Sequence, residues 1–145
     1  MKFIIFIVAA LLSTSAVANG RAGPTPSTSG ASWDVSIVSE AARYVGSGKF
    51  TGLPGAWCAD AVSAWLRAIG RPPLANRMAA SALSYGPRGN GSPGDLAVFM
   101  GRRGAYHVGV VVAALGNRVE IVSGNWSHRV ARAVVSRRGL VFVRT

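Results

Sequence analysis

A chain of 145 residues, half of them hydrophobic, has room for one folded domain with a core and no second domain. Sixteen lysines and arginines against five acidic residues give a formal charge of +11, which excludes an acidic, self-solvating chain and favours polyanionic partners. A single cysteine excludes any disulfide within the chain.

Met1–Lys2, the apolar run Phe3–Leu12 and the small-residue stretch ending Ala16-Val17-Ala18 predict a secretory signal peptide cleaved after Ala18. An uncleaved anchor is the competing reading, but the apolar run is shorter than the roughly 20 residues a membrane span needs. No later stretch is long enough to cross a bilayer, so the mature chain is expected in the periplasm or outside the cell. Losing Lys2 with the leader takes one charge from +11 and leaves +10, with Lys49 as the one remaining lysine. The arginines are scattered apart from Arg102–Arg103 and Arg137–Arg138, and no nucleic-acid-binding motif accompanies them. An anionic envelope polymer, not nucleic acid, is therefore the expected partner, and the chain is read as a monomer.

Asn19–Gly30 is rich in Gly, Pro, Ser and Thr and holds no apolar residue larger than alanine. It predicts a flexible linker running to residue 31, with the folded domain over 32–145. Val35, Ile37, Val38, Ala41, Ala42 and Val45 make Ser32–Val45 an amphipathic helix stopped by Gly46. Gly46–Gly55 reads as loop. The second helix is Trp57–Gly70, with Ala61, Val62, Trp65, Leu66 and Ile69 on one face, and Pro72 and Pro73 beyond its end. A third, short helix is expected at about Ala75–Tyr85. Gly86–Gly94 (GPRGNGSPG) reads as a surface loop, with a mobile cleft rim as the alternative.

From Asp95 the periodicity becomes alternating. Leu96–Met100, Tyr106–Ala114, Arg118–Ser123, Val130–Ser136 and Leu140–Arg144 read as strands joined by Gly-rich or Arg-Arg-Gly turns. Helices first and antiparallel strands afterwards predict an α+β domain, the helices packed on a sheet or half-barrel.

Register makes a sharper statement. A two-residue turn at Gly116-Asn117 would put Arg118 and Glu120 on the face of Val111 and Ala113. A three-residue loop, Leu115–Asn117, instead groups Val111, Ala113, Val119 and Ile121, and burial favours it. That register sets His107 across from Asn125 and Gly109 across from Ser123, at the end of the face the helices are expected to cover. The small residues Gly109, Ser123 and Gly124 leave room there for a helix end or a substrate.

Cys58 lies in the first turn of the second helix, where free N–H groups and the helix dipole favour a thiolate and lower its pKa. It is either an inert buried side chain or a reactive one. If Cys58 meets His107 and Asn125, the group is nucleophile, base and orienter. His128, in the polar turn WSHR, is the rival base. Trp57, Tyr106 and Trp126 beside these residues would line a cleft or pack in the core. Asp60 would cap the helix or touch substrate. One Cys and two His show no metal-ligand spacing, so no metal and no cofactor is expected.

The segments WCADAVSAWLRAIG, PGDLAVF (Pro93–Phe99), HVGVVV (His107–Val112) and SGNWS (Ser123–Ser127) resemble, in that order, the CHAP family of cysteine, histidine-dependent amidohydrolases/peptidases, and the related NlpC-type peptidases. The resemblance covers roughly Ser32 to Thr145. It implies a papain-like fold and hydrolysis of amide bonds in peptidoglycan, with Cys58 as nucleophile, His107 as base and Asn125 as third polar residue. Asp60-Ala61 stands where a small residue and an aromatic are common, and Asn125 where NlpC-type enzymes use His. A catalytically idle, basic wall-binding domain of the same fold is the second expectation, and an exported toxin-like enzyme the third.

Overall fold

A computed structural model describes residues 31–145, with side chains from Ile37 onward. The expected signal peptide, its cleavage site and nearly all of the linker lie outside the described residues.

The elements follow the expected order. Helix α1 is Ala31–Arg43 and α2 is Cys58–Ala68, followed by a 3-10 helix at Ala79–Ser84. Strands β1 (Leu96–Gly101), β2 (Gly104–Leu115), β3 (Arg118–Trp126), β4 (Arg129–Ser136) and β5 (Leu140–Val143) complete the chain. The fold is α+β, with helices against one five-stranded antiparallel sheet of order β4-β3-β2-β1-β5. Among the described residues no helix is long and apolar enough to cross a membrane.

The sheet cannot be flat. β4 and β5 are its opposite edges, about 19 Å apart in a planar sheet of four strand spacings. Yet only Arg137–Gly139 separates Ser136 from Leu140, a link of at most about 14 Å. The sheet must coil, so it has a concave face of its own. Ala97, Phe99, Val111, Val119 and Ile121 are buried on that face, with Trp126, Val135, Leu140 and Phe142 around them. Arg137 sits at the join: it donates to the Gly116 carbonyl at 2.7 Å and the Asn90 carbonyl at 2.7 Å, and its guanidinium lies 5.5 Å from the Phe142 ring.

The other face carries Leu96, Val98, Val108, Val110, Val122, Val130 and Val143 and packs on the helices through Ile37, Ala41, Ala61, Val62, Trp65 and Leu66. This corrects the face assignment from the sequence. The helices cover the face of Val108 and Val110, while Val111 and Ile121 line the coiled interior. Both faces of β1 and β2 are apolar because both are buried, so alternation could not single out the helix side.

The β2–β3 turn is also corrected. Leu115 pairs with Arg118 across a two-residue turn in which Gly116 has φ +65°, the left-handed first position of a type II′ hairpin. An extra residue, Val112, then shifts the ladder, so that Val111 pairs with Ile121 and Val110 with Val122. The bulge reconciles a favourable Gly turn with burial of Val111, Val119 and Ile121. Beyond it the register is the expected one.

The expected third helix contracts to one 3-10 segment. Ser81 Oγ hydrogen-bonds the Asn76 and Met78 carbonyls, which competes with helical bonding ahead of it. Gly86–Gly94 is not a free rim. The buried Asp95 carboxylate accepts the N–H groups of Asn90, Gly91 and Ser92 at 3.1, 2.9 and 3.1 Å, and Gly89 and Arg144 tie the loop to β5 through the Phe142 and Pro87 carbonyls. Asp95→Ala, which removes the acceptor of three N–H groups, the buried Gly91 N–H among them, should lower unfolding free energy by about 1–3 kcal/mol and speed tryptic cleavage at Arg88, as read by urea denaturation and limited proteolysis.

Candidate active site

Helix α2 opens at Cys58, with Trp57 at φ −135° ahead of it. What sets this helix end against the sheet is the absence of a side chain at residue 124. A Cβ on Gly124 would stand 2.6 Å from Ala61 Cβ and 2.7 Å from the Trp57 ring. The space foreseen at Gly124 is thus filled by the first turn of α2. Trp57 itself is buried against the Phe50 ring (centroids 5.8 Å), with an edge on a surface groove.

The β2–β3 ladder ends at Val110 and Val122. Past that end of the ladder, the Val108 N–H lies close enough to the Cys58 sulfur to lower its pKa, one residue from His107. Cys58 is 6% exposed. Burial pushes its thiol pKa up, outweighing the N–H groups of Val108, Ala59 and Cys58 itself, which pull it down; the Asp60 charge adds a smaller upward push. The balance runs against the expected lowering of this pKa, because loss of water outweighs a helix end.

His107 lies on the concave side of β2. Its ring meets Phe99 and Trp126 edge-on, with centroids 5.3 and 5.5 Å away. Its Nε2 is 3.0 Å from Ser123 Oγ, a hydroxyl with no solvent exposure. Burial pulls the His107 pKa below its ordinary value, favouring neutral imidazole.

The atom that orients His107 is thus Ser123 Oγ, a role the sequence reading had given to Asn125. The reason is local. Opposite Ser123, Gly109 has no side chain, and a Cβ there would stand 2.8 Å from Ser123 Cβ. The imidazole can lean across that gap to Ser123. Asn125 instead occupies a bulge in the β3–β4 ladder at φ +56°, lining the same groove as His107. The register sets Gly109 opposite Ser123, but small side chains there read as clearance, and no local signal marks the hydroxyl as a partner of His107.

Tyr106, an extra residue in the β1–β2 ladder, is 66% exposed and lines the groove with Trp126. Asp60 does not reach that groove. Its buried carboxylate is gripped by Arg77 at 2.8 and 2.9 Å, and Arg77 also donates to the Pro54 carbonyl, tying the loop before Cys58 to the segment after α2. His128 is exposed in the β3–β4 turn. Among the described residues no group of three His, Cys, Asp or Glu side chains is gathered as a metal site.

Two outcomes follow from this packing. Gly124→Ala, whose methyl meets the helix backbone-borne Ala61 Cβ, should cost about 1–3 kcal/mol in denaturant unfolding and displace Cys58, seen as changed thiol accessibility. Stability should also have two pH limbs. His107, with its folded pKa depressed, adds stability present above pH 6.5 and lost as pH falls through its folded value; Cys58, raised, adds stability present below pH 9.0 and lost as pH rises through its own. Thermal denaturation of His107→Gln should lose the acid limb and keep the alkaline one. No protein-family model matches the chain, and no curated protein matches it in sequence.

Proposed function

We propose that this chain is an exported, papain-like cysteine hydrolase of CHAP type that cleaves an amide bond in peptidoglycan. What supports the reading is that the Val108 N–H influences the Cys58 sulfur, one residue along β2 from His107, whose imidazole lies 3.0 Å from Ser123 Oγ. With Nε2–H donating to Ser123, the lone pair is on Nδ1, the ring nitrogen nearer the 107–108 backbone. Nδ1 takes the thiol proton as sulfur attacks the carbonyl carbon, and N–H groups at the start of α2 stabilise the oxyanion. Imidazolium then protonates the departing amine. A thioester remains on Cys58. Water, deprotonated by the same imidazole, hydrolyses it to a carboxylic acid and returns the proton to sulfur. Asn125, Tyr106 and Trp126 border the substrate path, and the arginine-rich surface concentrates the domain on anionic wall polymer.

A neutral thiol beside a neutral imidazole also favours a second reading, an idle wall-binding domain of this fold. Digestion of purified peptidoglycan decides between them. The hydrolase reading expects Cys58→Ala and His107→Ala to lose on the order of 10³-fold or more in rate. Ser123→Ala should lower kcat by about tenfold, the worth of one hydrogen bond, with little change in KM. Wall binding without digestion, unchanged in Cys58→Ala, would leave the binding domain.

A further inference from the structure

We propose that Lys49 and His128 form a carboxylate subsite one residue from the reactive sulfur, so that the preferred substrate bears a free carboxylate on that flank of the cleaved amide. The proposal rests on the hydrolase reading above and goes further by naming substrate chemistry.

Two cavities meet at Asn125. One, of about 290 Å³, is walled by Phe99, Tyr106 and Trp126 around His107. The other, of about 370 Å³, is lined by Lys49, Gly55, Ala56, Trp57, Asn125 and His128. The first has aromatic walls and suits an uncharged ring or apolar group. The second has Lys49 as its charged side chain and no carboxylate in its lining. Trp57, its inner wall, immediately precedes Cys58, so a group bound there lies next to the carbonyl under attack.

The cation reaches along the cavity wall. Lys49 Nζ donates to the Gly55 carbonyl at 3.4 Å, and both residues line the cavity. Gly48 bridges to Arg129 in antiparallel fashion, which sets Lys49 alongside His128. Asp60, the acidic residue nearest in sequence to Cys58, is neutralised by Arg77 and faces another cavity.

Asn125, Ser127 and His128 all have left-handed backbones, with φ of 56°, 51° and 64°. Non-glycine residues adopt that region at a cost and gather where a site is shaped. Here they aim Asn125 and His128 at the boundary between the cavities.

The test uses soluble disaccharide-peptides released from peptidoglycan by a muramidase, either untreated or with carboxylates converted to carboxamides. Wild type should show kcat/KM roughly tenfold to a hundredfold higher on untreated fragments, as for loss of a charged hydrogen bond. Lys49→Met should erase that preference, giving equal kcat/KM on untreated and amidated fragments. Arg118→Met, which removes the same charge at the far β2–β3 turn, should retain it. A preference kept in Lys49→Met, or lost equally in Arg118→Met, overturns the subsite. If wild type and Cys58→Ala release equal product, the hydrolase reading fails separately. Calorimetric titration of both fragments then decides the subsite: a Lys49-dependent preference supports it, and equal affinities overturn it.

Discussion

The close approach on which the candidate site depends is between the first turn of α2 and the backbone of β3 at Gly124. Ala61 and Trp57 occupy the volume any side chain at 124 would need. Because a helix is stiff and its first turn is fixed here, the position of Cys58 follows from this contact and not from any interaction of the thiol itself. Surface ion pairs such as Arg43–Glu40 and Arg132–Glu120 are worth about 0–1 kcal/mol each and could not hold a helix in register with a sheet. The buried Asp60–Arg77 grip is different in kind. It fastens the chain on both sides of α2, so the helix start is braced by packing on one side and a bidentate ion pair on the other.

Strand and helix identities were legible because each rests on local pattern: helical spacing at Ala61, Val62, Trp65 and Leu66, alternation from Leu96 onward, and Gly at the turns. The α2 start at Cys58 and all five strands fall where those patterns place them. What sequence reasoning missed depends on distant partners. The helix-covered face of the sheet was misassigned because the short β4–β5 link coils the sheet and buries both faces. The third helix was overdrawn because Ser81 captures carbonyls that a helix would use. Ser123 was overlooked as the partner of His107 because cross-strand pairing describes directly opposed residues, whereas this hydrogen bond runs diagonally over Gly109.

Electrostatics at the site turn on a contest of magnitudes. A helix end contributes about 0.3–1 kcal/mol to a charge at its terminus. Removing an ionised group from water costs several times that unless it is fully compensated. Cys58 is buried, so desolvation leads and its pKa rises; His107 is half-buried, and the same cause acts on a base in the opposite direction. One environment thus leaves the proton on sulfur and the lone pair on imidazole. In the proposed mechanism the proton passes between these two neutral groups, so charge separation must be stabilised by whatever enters the groove.

That requirement gives the irregularities of the sheet a common meaning. β2 carries an extra residue at Tyr106 and another at Val112, β3 carries one at Asn125, and the Ser127–His128 turn has both central residues left-handed. Three of these four features border the groove beside His107, while the ladder from Arg118 to Ser123 against β4 runs without interruption. Left-handed non-glycine backbones cost about 1–3 kcal/mol each and persist only where neighbours over-determine them. Here Trp126 pairs with Arg129 across the turn, and Val130 exchanges backbone hydrogen bonds with Gly46 and Ser47 at 2.9 and 2.8 Å. Those bonds hold the strained turn and bring Lys49 to the same rim. The strain is therefore not a defect of the hairpin but the means by which an otherwise regular sheet presents polar groups at the one end where a helix delivers its thiol.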